Sequence, residues 1–174
     1  NGCINLNYME NVCSELGESL SRKKTYHIIV VRSTVLPGTV LKRFIPIIEE
    51  KSGRKAGLEF GVCMNPEFLR EGSAIKDFYN PGITVIGQFD ERSGDTIKSL
   101  YSEVNSEIIL TSIPVAEMTK YVSNNFHALK ITFANEIGTL CKTEGIDGQK
   151  VMEIFCKDQK LNISKAYLRP GFAF

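Results

Sequence analysis

Short β-branched runs alternate along this chain with amphipathic segments of helical period, and few architectures accept that order. Strands separated by helices build a layered α/β domain with a mainly parallel sheet, because each helix carries the chain back to start the next strand. Residues 7–23 have a helical pattern and 27–32 form an apolar strand; after the turn at Pro37-Gly38 a second helix is expected over 39–51. Strands follow at 58–64, 83–88 and 107–111, with a helix over 91–104 between the last two.

From Pro114 to about residue 143 the pattern becomes one long helical run, well beyond the average of about 11 to 12 residues and interrupted only by Gly138. Gly145 is placed to end it, and Asp147 to cap a short helix reaching Lys157. The tail from Leu161 is loop-like around Arg169-Pro170-Gly171. It stops on an apolar Gly-Phe-Ala-Phe, and the start has no initiator Met, so the chain is expected to be an internal fragment.

Composition removes several function classes. With 174 residues, 43% hydrophobic and 24% charged, the chain can bury a core and is not disordered. A net charge of +1 makes no field that would hold nucleic acid or an anionic membrane. The apolar runs fall far short of the roughly 20 residues that span a bilayer, no signal peptide opens the chain, and a cytoplasmic protein is expected. The five cysteines are odd in number and lack any metal-ligand spacing, so reduced thiols and no metal site are expected. Cys141 and Cys156, in apolar helical surroundings, read as buried structural thiols rather than nucleophiles.

On the long helix, Lys120, Asn124, His127 and Asn135 project within a fan of about 80° at 100° per residue. Met118, Val122, Phe126, Leu129, Phe133, Ile137 and Leu140 occupy the opposite side, which is expected to be buried. A polar stripe on an arbitrary helix is usually a solvated face. This one has one charge, three directional side chains and Ile131 among them, a set suited to hydroxyl groups and an anion.

Two further segments follow strands, where ligands bind in parallel sheets. In Asn65-Pro66-Glu67-Phe68-Leu69-Arg70-Glu71-Gly72, Glu67 and Glu71 would share a face if the segment is helical. Either could be a general base if burial raised its pKa; the plain alternative is an exposed acidic turn with Arg70 as its ion partner. The segment 32–39, Arg-Ser-Thr-Val-Leu-Pro-Gly-Thr, precedes a helix, so its hydroxyls and amides could face a phosphate, or merely cap the helix.

Taken in order, the strings RSTVLPGT, NPEFLREGSAIKDF, AEMTKYVSNNFHALKITFANEIG and LNISKAYLRPGFAF resemble the UDP-glucose/GDP-mannose dehydrogenase family over essentially the whole chain. His127, Asn162-Ile163-Ser164-Lys165 and Arg169-Pro170-Gly171-Phe172 look most like the members that act on GDP-mannose, with UDP-glucose as the alternative substrate. The resemblance implies part of a Rossmann-like, doubly wound parallel sheet in residues 1–112 that binds NAD. A long central helix and the start of a helical substrate and dimerisation domain would fill 113–174. It implies a four-electron oxidation of the sugar C6 alcohol to a carboxylate, using two NAD+ and a cysteine that captures the aldehyde.

By that resemblance Lys120 and Asn124 hold the oxyanion or its water, and Glu67 is the general base or water-orienting carboxylate. Glu71, His127 and Asn135 contact the substrate, Thr34 the nicotinamide cofactor, and Tyr167 and Arg169 the nucleotide sugar across a subunit boundary. A homodimer or larger homo-oligomer would form through the long helix. The family's glycine-rich fingerprint would precede residue 1 and its Gly-Gly-Ser-Cys nucleophile would follow Phe174, so the chain alone is expected to be inactive. Ala166 stands where an aromatic is usual in GDP-mannose members. The competing reading is a non-catalytic dimerisation or scaffold module.

Overall fold

Four strands lie side by side in chain order: β1 (Ile28–Val31), β2 (Gly61–Met64), β3 (Thr84–Gln88) and β4 (Ile108–Ser112). The computed structural model describes residues 4–158. β1 and β2 are parallel, with Ile28 opposite Gly61, and β3 and β4 are parallel, with Thr84 opposite Ile108. β2 and β3 run antiparallel, with Cys63 opposite Gln88. The sheet is therefore mostly parallel, with one reversed neighbour. The reason lies in the connection. A parallel return needs a crossover of a dozen or more residues over the sheet. Between β2 and β3 the only helix is the six-residue α3 (Ala74–Tyr79), and the chain re-enters at the edge it left.

Helix α1 (Asn7–Ser21) precedes β1; a π-helical stretch, Val40–Phe44, runs straight into α2 (Ile45–Ser52); α4 (Glu91–Leu100) joins β3 to β4. Alternation along the strands gives the sheet two apolar faces. Ile29, Val31, Val62, Met64 and Val85 face a core closed by Cys13 and Leu20 of α1 and by Phe44 and Ile48, while Cys63 and Ile86 face Ile97 of α4. Helices on both faces make this the doubly wound arrangement expected. Each such side chain contributes roughly 1.5 to 3 kcal/mol when fully buried. Gly17 sets the approach of α1 to α2: a Cβ there would lie 2.6 Å from the Lys51 Cβ. Gly53 ends α2 in the left-handed conformation, φ 67°.

Helix α5 spans Ile113–Glu144, 32 residues, and α6 spans Gly148–Phe155. The chain divides into two compact units, one through Ser123 and one from Asn124, so α5 begins in the first and ends in the second. In the second unit Gly145 (φ 66°) ends α5, and Asp147 caps α6 by accepting from the Gln149 and Lys150 amides at 3.0 and 3.1 Å. The Phe133 and Phe155 rings meet at 5.8 Å. The expectation that the apolar face of α5 is buried is overturned: Met118, Val122, Leu129, Phe133 and Leu140 are exposed. Within the second unit, Phe155 of α6 lies against that face at Phe133.

Among the described cysteines, Cys13, Cys63 and Cys141 are buried and Cys156 is exposed, which corrects the reading of Cys156 as a core thiol. Burial pushes the Cys13 thiol up to about 11 and the Cys63 thiol up to about 12. Among the described residues no helix is long and apolar enough to cross a membrane.

Candidate active site

At the carboxyl end of β2 the chain leaves the sheet through Asn65 and Pro66 into an irregular loop, and a cleft of about 320 Å³ opens beside it. Arg32, Asn65, Glu67, Arg70, Asp77 and Tyr101 are among its walls. Buried Asn65 anchors the exit. Its amide donates to the Val31 carbonyl at 2.9 Å, its Nδ2 donates to the Val85 carbonyl at 2.9 Å, and its Oδ1 accepts from the Tyr101 hydroxyl. Three strands or loops are thus tied at the residue two places before Glu67.

Lys120 arrives from α5 with its side chain buried, and its Nζ donates to the Glu67 carbonyl at 2.5 Å and to the Glu67 Oε1 at 3.2 Å. The ammonium also lies 5.4 Å from the centre of the Phe68 ring. A buried ammonium costs several kcal/mol unless it is paired and hydrogen-bonded, and Glu67 supplies both kinds of partner. Partial burial pushes the Glu67 carboxyl up. The Leu69 amide at 2.7 Å, the Lys120 ammonium and Arg32 outweigh that, and the carboxyl is held below its ordinary value. The condition under which Glu67 would store a proton, a carboxyl raised by burial, is therefore not met. Glu67 is ionised at neutral pH, suited to orienting a water or accepting a proton late, and not to storing one.

The rest of the loop departs from expectation too. Residues 65–70 are not helical, so Glu67 and Glu71 do not share a helical face, and Glu71 is exposed in the turn that follows. Arg70 pairs with neither glutamate. It grips Asp77 of α3 with two guanidinium bonds, at 3.0 and 2.6 Å, and its amide donates to the same carboxylate at 3.0 Å. The Ser73 hydroxyl adds a fourth bond at 2.8 Å. Arg70 first, then Ser73, hold the Asp77 carboxyl far below the usual range.

In the loop after β1, Thr34 is exposed. The helix start that could have faced a phosphate is already filled. Both oxygens of wholly buried Glu117, from the first turns of α5, accept from the Gly38 amide at 2.5 Å and the Val40 amide at 2.9 Å. A second anion there would meet a fixed carboxylate, so of the alternatives left open the phosphate one does not hold for these amides. Asn124, His127 and Asn135 lie in the second unit, exposed along α5 with Ile131. Tyr167 and Arg169 fall outside the described residues.

Of the sequence-derived candidates, the structure brings together Glu67 and Lys120. Reading the sequence missed Asn65, Tyr101, Asp77 and Glu117 as parts of the same region. Asp77 left a faint signal, a carboxylate seven residues after Arg70 in α3; the others act over distances that spacing does not reveal.

Residues 1–105 match the NAD binding domain, and residues 114–174 the central domain, of the UDP-glucose/GDP-mannose dehydrogenase family. The chain belongs to that family. Across all of its length it is 58% identical to GDP-mannose 6-dehydrogenase from Pseudomonas syringae pv. tomato, and it spans 40% of that relative. The crystal structure of a ternary complex of GDP-mannose dehydrogenase from Pseudomonas aeruginosa superposes over the whole chain with a TM-score of 0.97 at 53% identity, covering 40% of that protein. A UDP-glucose dehydrogenase from Pyrobaculum islandicum matches 89% of this chain, and 35% of its own, with a TM-score of 0.84 at 41% identity. In this family member the cleft lies at the carboxyl edge of β1 and β2, beside α3 and the start of β3.

Proposed function

We propose that this chain is the cofactor- and substrate-orienting portion of an NAD-dependent nucleotide-sugar 6-dehydrogenase that converts GDP-mannose to GDP-mannuronate. The observation that carries the proposal is the buried Lys120 ammonium paired with the ionised Glu67 carboxylate beside the cleft. That pair places positive charge where an alkoxide or tetrahedral oxyanion develops, and a carboxylate where water must be oriented. The choice of GDP-mannose rests on the 58% identity to a relative of that name, against 41% for the UDP-glucose enzyme.

The overall change balances as one alcohol, one water and two NAD+ giving one carboxylate, two NADH and three protons. NAD supplies the hydride acceptor for each two-electron step. The residues present fit it at one edge: exposed Thr34 stands on the loop at the carboxyl end of a parallel strand, the usual place for such a ligand. The neighbouring helix start, closed by Glu117, does not receive its diphosphate. Lys120 holds the C6 oxygen as it loses its proton, with Asn124 as a second donor, and Glu67 orients the water that enters at the acyl stage. Glu71, His127, Asn135, Tyr167 and Arg169 are assigned to the nucleotide sugar.

The division into a cofactor domain over 1–112 and a substrate domain from 113 belongs to the same proposal. So do a cytoplasmic site of action and a homodimer through α5. The exposed Leu129, Phe133 and Leu140 support an interface in addition to catalysis, because a face of large apolar side chains is rarely left to water. The test uses the complete protein. With GDP-mannose it should form two NADH per sugar consumed, and a preference for UDP-glucose in the same assay would overturn the substrate assignment.

A further inference from the structure

Glu117 has no part in the scheme above, yet it is the most deeply buried charged side chain among the described residues, at 0% exposure. A carboxylate so placed must be fully hydrogen-bonded to be tolerated. Its two oxygens satisfy the Gly38 and Val40 amides, 79 and 77 residues earlier in the chain. Those amides open the π-helical stretch Val40–Phe44.

A local cap would have sufficed for that task. Helix starts are normally satisfied by a Ser, Thr, Asp or Asn at the N-cap, and Thr39 occupies that position here. Its side chain makes no capping bond. The cap comes from another element instead, and that element is the helix turn that delivers Lys120 to Glu67. Within four residues, α5 holds the loop after β1 through Glu117 and the loop after β2 through Lys120. A cap from a distance links two segments that a local cap would leave independent.

We propose that Glu117 is a positioning residue that fixes the Thr34 loop and the Lys120 ammonium on one rigid turn of α5, so that the cofactor side and the sugar side of the proposed site are set by a single element. The proposal rests on the function given above for Thr34 and Lys120. Helix-start geometry also favours the charge Glu117 brings, since the first amides of a helix carry partial positive charge. Replacement by Gln is informative because one of its two terminal groups is a donor. It would face an amide that is also a donor, and only one of the two amides could be held.

The experiment is steady-state kinetics on the complete protein, with NAD+ and GDP-mannose varied separately, for Glu117→Gln and Glu117→Asp. For Gln, the KM for NAD+ should rise and kcat should fall, each by about tenfold, the scale of a small misplacement of reacting groups. GDP-mannose binding in the absence of NAD+, measured by calorimetry, should change much less. Asp, which keeps both oxygens, should recover part of the loss. A folded Gln variant with wild-type KM and kcat overturns the proposal, as does a variant whose only defect is a lower Tm. Hydrogen exchange of the wild-type amides covers the case in which neither variant folds. Gly38 and Val40 should be protected to the same degree as the first turns of α5, and exchange as fast as that of exposed Ser33 and Thr34 overturns the coupling. A wild-type protein inactive on every nucleotide sugar would sink the proposed function instead, and leave the exchange result to judge Glu117.

Discussion

The start and the remainder of α5 carry similar residues into opposite surroundings. In the first turns Ile113, Ala116 and Glu117 are at most 1% exposed and Lys120 is buried, all of them packed or hydrogen-bonded against the sheet's carboxyl edge. Farther along, Leu129 and Leu140 are each 62% exposed, and the polar stripe of Asn124, His127 and Asn135 is exposed as well. The helix backbone is continuous through both. What differs is how far side-chain chemistry is fixed: charged groups are fully committed at one end, while at the other much of both the polar and the apolar face is exposed. Site residues therefore fall into two kinds. Glu67 and Lys120 are organised by the chain's own contacts, whereas Asn124, His127 and Asn135 are exposed.

The sharpest way to break this contrast is Lys120→Ala in the complete protein. Loss of a preorganised charge at a developing oxyanion should cut kcat by roughly 10²- to 10³-fold. Substrate KM should change much less, and equal losses in both would count against a role in the reaction itself. At the uncommitted end, Leu129→Glu should leave the fold intact and weaken self-association by on the order of 100-fold, since about 1.5 to 3 kcal/mol is lost with each buried leucine. Sedimentation at a series of concentrations reads that shift, and an unchanged oligomer would remove α5 from the interface.

The smallest effect concerns protonation. Glu67 has a depressed carboxyl, so the stability it contributes is present above the ordinary glutamate range and is lost as pH falls through the lower folded value. A Lys120→Met change should move that carboxyl back upward, so that the loss sets in at higher pH. Carbon NMR of the Glu67 side chain would follow the titration, and an unmoved midpoint would show that Leu69 and Arg32 hold the charge without Lys120.

Much of the framework was legible because it is local. The β-branched runs mark β1 and β4, a helix-stopping Gly145 and a capping Asp147 bracket the α5–α6 junction, and those boundaries fall within a residue or two. The candidate pair Glu67 and Lys120 was legible from motif resemblance, although nothing in the spacing of residues 53 apart says that they touch. Three features were not legible. The reversal at β3 depends on α3 being too short to cross the sheet, and Ala74–Tyr79 has too few residues to display a period. The Asp77 clasp left only a faint trace, a carboxylate seven residues after Arg70, because nothing in that spacing says that the two side chains meet. Glu117 falls at about 60° from Lys120 on the helical wheel of α5, inside the polar fan, where nothing sets it apart from its neighbours, and its partners lie on a different loop entirely. The exposure of the α5 apolar face marks the limit of single-chain reasoning: amphipathicity predicts that a face will be covered, not by what.

The thiols described with the fold give the molecule a set of internal clocks. Cys63 is sealed between the sheet and α4 and Cys13 between α1 and the opposite face, both with thiols too weakly acidic to react while closed, whereas Cys156 stands open. Alkylation at neutral pH should therefore tag Cys156 at once and the other two only when their layer parts. The ratio of the Cys13 and Cys63 rates would report whether the two faces of the sheet open together or one at a time.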